Sequence, residues 1–270
     1  SDYFAKKYKR KVPDALILKT YYKAGAIKTL LTLVDSFPKS DFSPLALSQI
    51  GTLYTVLEKP DDARKALQRL QKEYPESEQA KNAVFMIGLN LLEMGMEREA
   101  IGYFKEMFSG KGEYAAGQIL TAGKALYDAK QYAVALQAFD RIIKSETERG
   151  YVEPARVRKG QSLLALKKFK EAADVLRGVL ADYPSSGYTI EICLGASQAF
   201  AAVASETADA ESRRAIFDEG VVAMKRARKF AKAAGKKTEL DVGVARIFER
   251  KSAAETQFGD AAKAEQYRND

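Results

Sequence analysis

The chain is poor in the side chains on which most enzymes and metal sites depend. Among its 270 residues there is no histidine, which removes the commonest general base and the commonest metal ligand. The single cysteine, Cys193, excludes an internal disulfide and a cysteine-rich zinc site. We expect Cys193 to be a small buried hydrophobe, with a regulatory thiol as the alternative.

The remaining candidates for catalytic chemistry have simpler explanations. Five residues separate Gly117 from Gly123, whereas a phosphate-binding loop has four, and Ala125 replaces its Ser or Thr. Glu97 and Glu99 lie in a connection and on a helix face, where carboxylates are usually solvated. The sequence therefore predicts a protein that is not an enzyme and that uses no cofactor, metal or small-molecule substrate.

The composition is that of a folded protein whose positive charge is clustered. Hydrophobic residues make up 46% and charged residues 30% of the chain, and no apolar run approaches the roughly 18 residues of a membrane span. The formal net charge is +8, with basic clusters in the ranges 6–11 and 225–237 that favour an anionic partner. Since the first residue is Ser1 rather than methionine, we expect a processed or shortened chain, from which any export signal or lipid anchor is missing.

A pattern of five columns recurs four times, without a gap inside any copy. The first column is glycine, at Gly51, Gly88, Gly123 and Gly160. The other columns stand 3, 12, 16 and 19 residues later and hold, in chain order, Tyr54, Leu91, Leu126 and Leu163; Ala63, Ala100, Ala135 and Ala172; Leu67, Phe104, Phe139 and Leu176; and Leu70, Met107, Ile142 and Val179. The glycines are 37, 35 and 37 residues apart, a period typical of stacked supersecondary units.

Within each copy the apolar columns indicate two amphipathic helices joined by a short break. In the second copy Ile87 and Leu91 share one helix face, and Ala100, Phe104 and Met107 share the next. A glycine inside a helix costs about 1 kcal/mol relative to alanine, so its recurrence in one column indicates helices that cross closely. The repeating unit is therefore predicted to be an antiparallel helical hairpin.

Prolines followed by serines punctuate the junctions between copies, as in the stretch from Tyr74 to Ser77. The predicted hairpins cover residues 7–40, 44–77, 81–114, 116–149 and 153–186, and the first is degenerate because it lacks the glycine. Residues 187–270 depart from the pattern and are predicted to form modified helical repeats that cap the same solenoid. The domain prediction is thus an array over residues 1–186 and a cap over residues 187–270.

The columns resemble the tetratricopeptide repeat over roughly residues 44–186. The long period and the segment Tyr74 to Ala83 are similar to repeats of bacterial envelope proteins of the Tol-Pal-associated and outer-membrane assembly lipoprotein types. The resemblance implies an all-α fold, an α-α superhelix of antiparallel helix pairs. It also implies a scaffold whose concave groove binds a partner segment, and a periplasmic or cell-envelope location.

The resemblance places groove residues on the first helix of each hairpin. The predicted partner groove consists of Asn82, Phe85, Leu89, Leu92, Leu120, Lys124, Tyr127, Gln161 and Leu164. In the first full copy the equivalent positions are Leu45, Ser48, Thr52, Thr55 and Val56. Repeats that clamp a chaperone's terminal carboxylate carry Lys and Asn at two of these columns. Because Phe85 and Leu89 occupy those columns here, an adaptor of that kind is not expected.

Three functions stay open from the sequence. The first is a scaffold that binds a protein or peptide segment in the mostly apolar groove. The second is a self-assembling structural subunit, in which the groove meets the chain itself or a second copy. The third is attachment to an anionic surface or polymer through the basic patch on one face of a predicted helix, formed by Lys225, Lys229, Lys232 and Lys236.

Overall fold

The computed structural model describes residues 14–109, 114–145, 149–233 and, within 249–257, all but residues 252 and 255. Across these ranges every regular element is a helix. Contacts along the chain divide it into two compact units, residues 1–118 and 119–270. None of the helices in the described ranges is long and apolar enough to cross a membrane.

The first unit consists of helices that pack against their neighbours in chain order. They are α1 (Asp14–Ser36), α2 (Phe42–Val56), α3 (Pro60–Glu73), α4 (Glu78–Glu93) and α5 (Glu97–Phe108), followed by the start of α6 (Ala116–Asp128). The sequence predicts a hairpin over residues 7–40, but Asp14–Ser36 is one unbroken helix of 23 residues. The stretch holds no Pro or Asn-Gly turn to interrupt it, and Ile27 and Val34, two turns apart, are buried on one side.

The second unit continues the same alternation. It holds most of α6, then α7 (Tyr132–Lys144), a 3-10 turn (Arg149–Tyr151), α8 (Val152–Ala165), α9 (Phe169–Asp182), α10 (Thr189–Glu206) and α11 (Ala210–Ala233). The described residues between 249 and 257 are helical as well. From α2 to α9 the helix pairs match the four predicted hairpins that carry the glycine column.

The glycine column is explained by close contact with the residue 16 positions later. A Cβ atom added to the four glycines would lie 2.5–2.7 Å from the side chains of Leu67, Phe104, Phe139 and Leu176. Those four side chains are fully buried. The two helices of each hairpin therefore approach at a distance that only glycine permits, as the column predicts.

Each hairpin turns through one residue with a left-handed backbone, seven positions after the glycine. These residues are Glu58, Gly95, Lys130 and Lys167, with φ of 55°, 70°, 59° and 59°. In the fourth copy the amide of Lys167 donates to the carbonyl of Leu164, and the amide of Lys168 donates to that of Leu163, both at 2.9 Å. The same two bonds recur in all four copies and close the first helix with a Schellman-type end.

The second unit has a core that runs from the last repeat into the predicted cap. Val157 and Leu176 belong to one buried cluster with Phe200, Phe217 and Ala254. Arg177 of α9 also donates two hydrogen bonds, of 2.7 and 3.2 Å, to the carboxylate of Glu219 in α11. The predicted boundary between array and cap, after residue 186, therefore falls inside a continuous core, as expected for a cap of the same solenoid. The position of the boundary stays a prediction.

Candidate partner-binding face

The predicted groove residues lie on the side of α2, α4, α6 and α8 that faces away from the glycine contacts. In α2 the packed side holds Leu47 and Ile50, which are fully buried, whereas Leu45 and Val56 are exposed on the other side. We call the corresponding side of each of these helices its inner-helix face, and we describe this face separately for each unit. The spacing of the columns thus separates packing residues from surface residues correctly in α2.

In the first unit the inner-helix face is apolar with amides at its margin. Phe85, Leu89 and Leu92 are half-buried, so each still presents part of its side chain to solvent. Asn82 accepts a hydrogen bond at 3.0 Å from the side-chain amide of Gln118. These residues form an apolar strip along α4 with one fixed amide beside it.

Asn90 is a polar residue of this region that the sequence analysis missed. It is buried, and its Oδ1 accepts a hydrogen bond at 3.2 Å from the hydroxyl of Thr55, which ties α4 to α2. Its amide nitrogen has no partner among the described residues. The signal was visible, because Asn90 stands at a column that holds Leu53 and Ala125 in neighbouring copies.

In the second unit the inner-helix face centres on Tyr127. Its ring lies 5.2 Å from the ring of Tyr132 and beneath the guanidinium of Arg158, 5.6 Å from the ring centre. The stacking of Arg158 on Tyr127 joins α8 to α6, and within α8 Arg158 also donates to Gln161 at 3.0 Å. Burial, with a smaller contribution from Tyr132, raises the pKa of Tyr127, so the phenol stays neutral at physiological pH. Arg158 was not predicted, although it is adjacent in space to two residues that were.

The other predicted residues of this unit differ in accessibility. Lys124 is half-buried, and Leu164 is half-buried while it packs against the core cluster. Leu120 is only 6% exposed. Its side chain therefore belongs to the packing between helices, and we leave it out of the surface on which a partner would lie.

The basic patch is described only in part. Lys225 and Lys229 are exposed on α11, and Lys232 lies within that helix, but its side chain and the whole of Lys236 fall outside the described residues. The opposite side of the helix is buried through Ala223, Met224 and Ala227. Arg226, between them, donates to the carbonyls of Leu180 and Pro184 and so has a structural role.

Little in the described ranges is suited to catalysis or metal binding. They contain no group of three or more His, Cys, Asp or Glu side chains that could hold a metal ion. Cys193 is fully buried in α10, and burial raises the pKa of its thiol to about 11. At neutral pH the thiol is therefore protonated and shielded, in agreement with the predicted packing role.

Comparisons with known proteins identify the repeat. Two family models with the description Tetratricopeptide repeat match residues 45–77 and 120–187. No curated protein is significantly similar in sequence.

Similar solved structures include two that are described as tetratricopeptide repeat proteins. The C-terminal part of a TPR repeat-containing protein from Cytophaga hutchinsonii is 15% identical, with a TM-score of 0.52, and the match covers 93% of this chain and 97% of that one. A tetratricopeptide repeat protein from Parabacteroides merdae is 14% identical over 95% of this chain and 97% of its own, with a TM-score of 0.48. MamA from Desulfovibrio magneticus is 21% identical over 70% of this chain and 91% of its own, with a TM-score of 0.43.

The predicted all-α fold of antiparallel helix pairs is therefore confirmed, whereas the likeness to particular envelope proteins stays a prediction. The hairpins from α2 to α9 carry the glycine contacts, and the matched ranges lie within or next to them. Two stretches of the chain, residues 45–77 and 120–187, are tetratricopeptide repeats.

Proposed function

We propose that the protein is a non-catalytic scaffold that binds a segment of a partner protein on its inner-helix face. Tetratricopeptide repeats serve as protein-interaction scaffolds. The location of the binding site on this chain is the more specific part of the proposal. The observation that carries it is the strip of Phe85, Leu89 and Leu92 on α4. These three apolar side chains are only half-buried on the side of the helix that no glycine contact occupies.

The chemistry of the strip defines the partner segment. Apolar side chains of the partner would cover Phe85 and Leu89, while the amide of Asn82 offers hydrogen bonds to polar groups at the margin of the strip. The second unit offers a surface of its own, where the guanidinium of Arg158 lies over the ring of Tyr127. An apolar segment with uncharged polar residues suits this lining better than an acidic one.

A peptide array tests the site directly. The protein is applied to immobilised peptides of varied apolar and charged content, and the bound set is compared with that of Phe85→Ala and Tyr127→Ala. We expect each variant to lose at least about tenfold in affinity for the peptides that the parent binds, as expected for aromatic anchors. Val222→Ala, an exposed apolar residue of α11, is the matched control. Unchanged capture of the peptides by both aromatic variants would show that the inner-helix face does not bind them.

A second candidate function is electrostatic attachment to an anionic partner through the second unit. Lys225 and Lys229 are exposed on α11. Beside the turn between α8 and α9, a pocket of about 520 Å³ is lined by Lys167, Lys168 and Lys170 together with Glu171 and Glu206, so its excess of positive charge is small. Binding to an anionic polymer should weaken steeply as salt rises, and more so for the parent than for Lys225→Glu combined with Lys229→Glu. Retention that does not depend on ionic strength would reject this function.

We also propose that the scaffold works in a bacterial cell envelope. The support is the resemblance of the Tyr74 to Ala83 segment and of the long period to envelope repeats. Fractionation of cells that express the tagged protein from its own gene gives the test. Recovery in the periplasmic or membrane fraction is the expected result, and recovery with cytoplasmic markers contradicts it.

A further inference from the structure

We propose that the chain associates with a second copy of itself through the exposed side of α2. This surface consists of Phe42, Leu45, Gln49, Thr52 and Val56, and we call it the uncharged face. This surface includes the α2 part of the inner-helix face, but it lies on a different helix from the strip on α4 that carries the proposed function. The inference therefore assigns α2 an occupant of its own and goes beyond that function.

The first observation is the absence of charge from the whole helix. Phe42–Val56 contains no Asp, Glu, Lys or Arg, whereas every other α-helix of the described ranges carries at least two of them. The adjacent α3, for comparison, begins with Pro60, Asp61 and Asp62 and is charged along its exposed side. An exposed helix face without charge is unusual for a helix surrounded by water.

The second observation is how much apolar surface this face exposes. Phe42 is 67% exposed, Leu45 is 43% exposed and Val56 is 54% exposed. The hydroxyl of Thr52 donates to the carbonyl of Ser48 at 3.1 Å, so its methyl group can be covered without stranding a donor. The face therefore gains free energy when it is covered, and it loses little by desolvation.

The lack of charge on this face favours an occupant that is itself apolar and uncharged, and a second copy presents such a face. At +8, two copies repel each other over most of their surfaces. This repulsion is smallest where neither copy contributes a charge to the contact, and the uncharged face is such a place. A strongly charged partner would find no complementary charge on it.

The spacing of the residues also suits a two-fold arrangement. Leu45 and Val56 are 11 residues apart, which places them about 16 Å apart along the helix and on nearly the same side of it. When two copies of α2 pack antiparallel, Leu45 of each lies against Val56 of the other, and Gln49 lies against Thr52. The interface is self-complementary, as a two-fold interface must be.

The expected affinity is modest. One helix against one helix buries less than the roughly 1,200–2,000 Å² of a stable protein–protein interface. We therefore expect dimers that form in the micromolar to millimolar range. Because the opposing force is like-charge repulsion, added salt should strengthen the association, the opposite of its effect on an interface held by ion pairs.

Sedimentation velocity of the intact chain over a range of about 1 μM to 1 mM provides the test, with Leu45→Glu and Val56→Lys as variants. The parent should dimerise with rising concentration, and more readily at higher salt. Each variant alone should raise the dissociation constant at least about tenfold, since it buries a lone charge. An equimolar mixture of the two should recover dimers, because Glu at position 45 meets Lys at position 56.

Matched controls separate this proposal from general stickiness and from the proposed function. Val222→Lys adds the same charge at a 65% exposed valine of α11 and should leave dimerisation unchanged. Phe85→Ala should also leave it unchanged, even if that variant abolishes peptide binding. A parent that is monomeric at every concentration and salt, an equal effect of Val222→Lys and Val56→Lys, or a mixture that fails to recover dimers would each overturn the inference.

Discussion

The ring of Phe104 rests against the backbone of Gly88, so that a Cβ atom added to the glycine would lie 2.6 Å from Cε1 and 2.7 Å from Cζ of the ring. Phe104 is fully buried, so the ring cannot simply swing into solvent. The contact fixes how closely α4 and α5 approach, and it recurs between Gly123 and Phe139.

Gly88→Ala should therefore destabilise the protein in spite of the better helix propensity of alanine. Propensity favours alanine by about 1 kcal/mol, but overpacking against a buried ring costs about 1–3 kcal/mol. We expect a net loss of up to about 2 kcal/mol, and a loss of several kcal/mol for Gly88→Leu. Urea unfolding followed by circular dichroism measures both changes.

Gly102 supplies the matched control for this prediction. It lies inside α5, exposed, and a Cβ atom there would meet nothing within 4 Å. Gly102→Ala should stabilise the protein by up to about 1 kcal/mol, and Glu97→Ala should be nearly silent. Effects of the same sign at Gly88 and Gly102 would mean that the close approach of the hairpin helices is misplaced.

The hairpins were predictable because a repeated contact leaves a repeated residue. A single pair such as Gly51 and Leu67 would not by itself indicate that two helices pack closely. Four such pairs at the same spacing do indicate it. The prediction of a hairpin over residues 7–40 was wrong. Residues 14–36 lack the glycine of the repeated column and a clear turn signal, so the sequence did not show that a single helix runs through the expected turn. The hairpins are predicted from the regular spacing of the columns, and the prediction fails in the terminal copy, where that spacing is lost.

The left-handed turn position escaped the sequence analysis because its residues share no type. Glu58, Gly95, Lys130 and Lys167 adopt the same backbone, but only Gly95 is typical of it. The backbone hydrogen bonds on each side determine the conformation, and these are invisible in the side chains. The same backbone conformation can thus recur at one position of every copy although the residue type at that position varies.

Lys130→Gly should stabilise the protein. Lysine at φ of 59° carries a conformational cost of about 1–2 kcal/mol that glycine avoids. The larger entropy of glycine in the unfolded chain offsets about 0.4–1 kcal/mol of this gain. We expect a gain of about 0.5–1 kcal/mol in the free energy of unfolding, measured by urea denaturation. Lys105→Gly, in the helical interior of α5, should lose about 1 kcal/mol. A loss from both substitutions would contradict the assigned backbone.

The candidate site was predictable only in outline. The column positions place Phe85 and Leu89 on a side of α4 where both are half-buried, but they could not show that Leu120 is buried. They also gave no hint of Arg158, which stacks on Tyr127 from the next inner helix. Such contacts depend on the distance between neighbouring hairpins, which a one-dimensional pattern does not contain.

Arg213 is the largest side chain with almost no exposure, at 1%. Its guanidinium donates to the carbonyls of Ala208 at 2.9 Å and Thr207 at 3.3 Å, and so it closes the turn between α10 and α11. Arg213→Met keeps much of the volume but loses these bonds, and we expect a loss of about 2–3 kcal/mol. Lys225→Met, exposed on the same helix, should change stability by less than about 0.5 kcal/mol. Equal urea midpoints for the two variants would show that the buried charge does not hold the turn.

Cys193 gives the protein a predictable loss of stability at high pH. Burial raises the pKa of the folded thiol from 9.0 to about 11, although nearby Arg226 and a backbone hydrogen bond act in the opposite direction. Below pH 9 the thiol is protonated in both states, so it contributes no pH dependence. Between about pH 9 and pH 11 only the unfolded state releases the proton, and the free energy of unfolding therefore falls as pH rises.

The comparison with Cys193→Ala isolates this contribution, because the tyrosines and lysines titrate alike in both proteins. The free energy of unfolding of each is measured by urea denaturation at pH 8 and at pH 11. The parent should lose about 2 kcal/mol more than the variant over this interval, from a raised pKa of roughly two units. Identical losses, or rapid reaction of the native thiol with a disulfide reagent at pH 8, would show that Cys193 is accessible and would restore the regulatory thiol as an explanation.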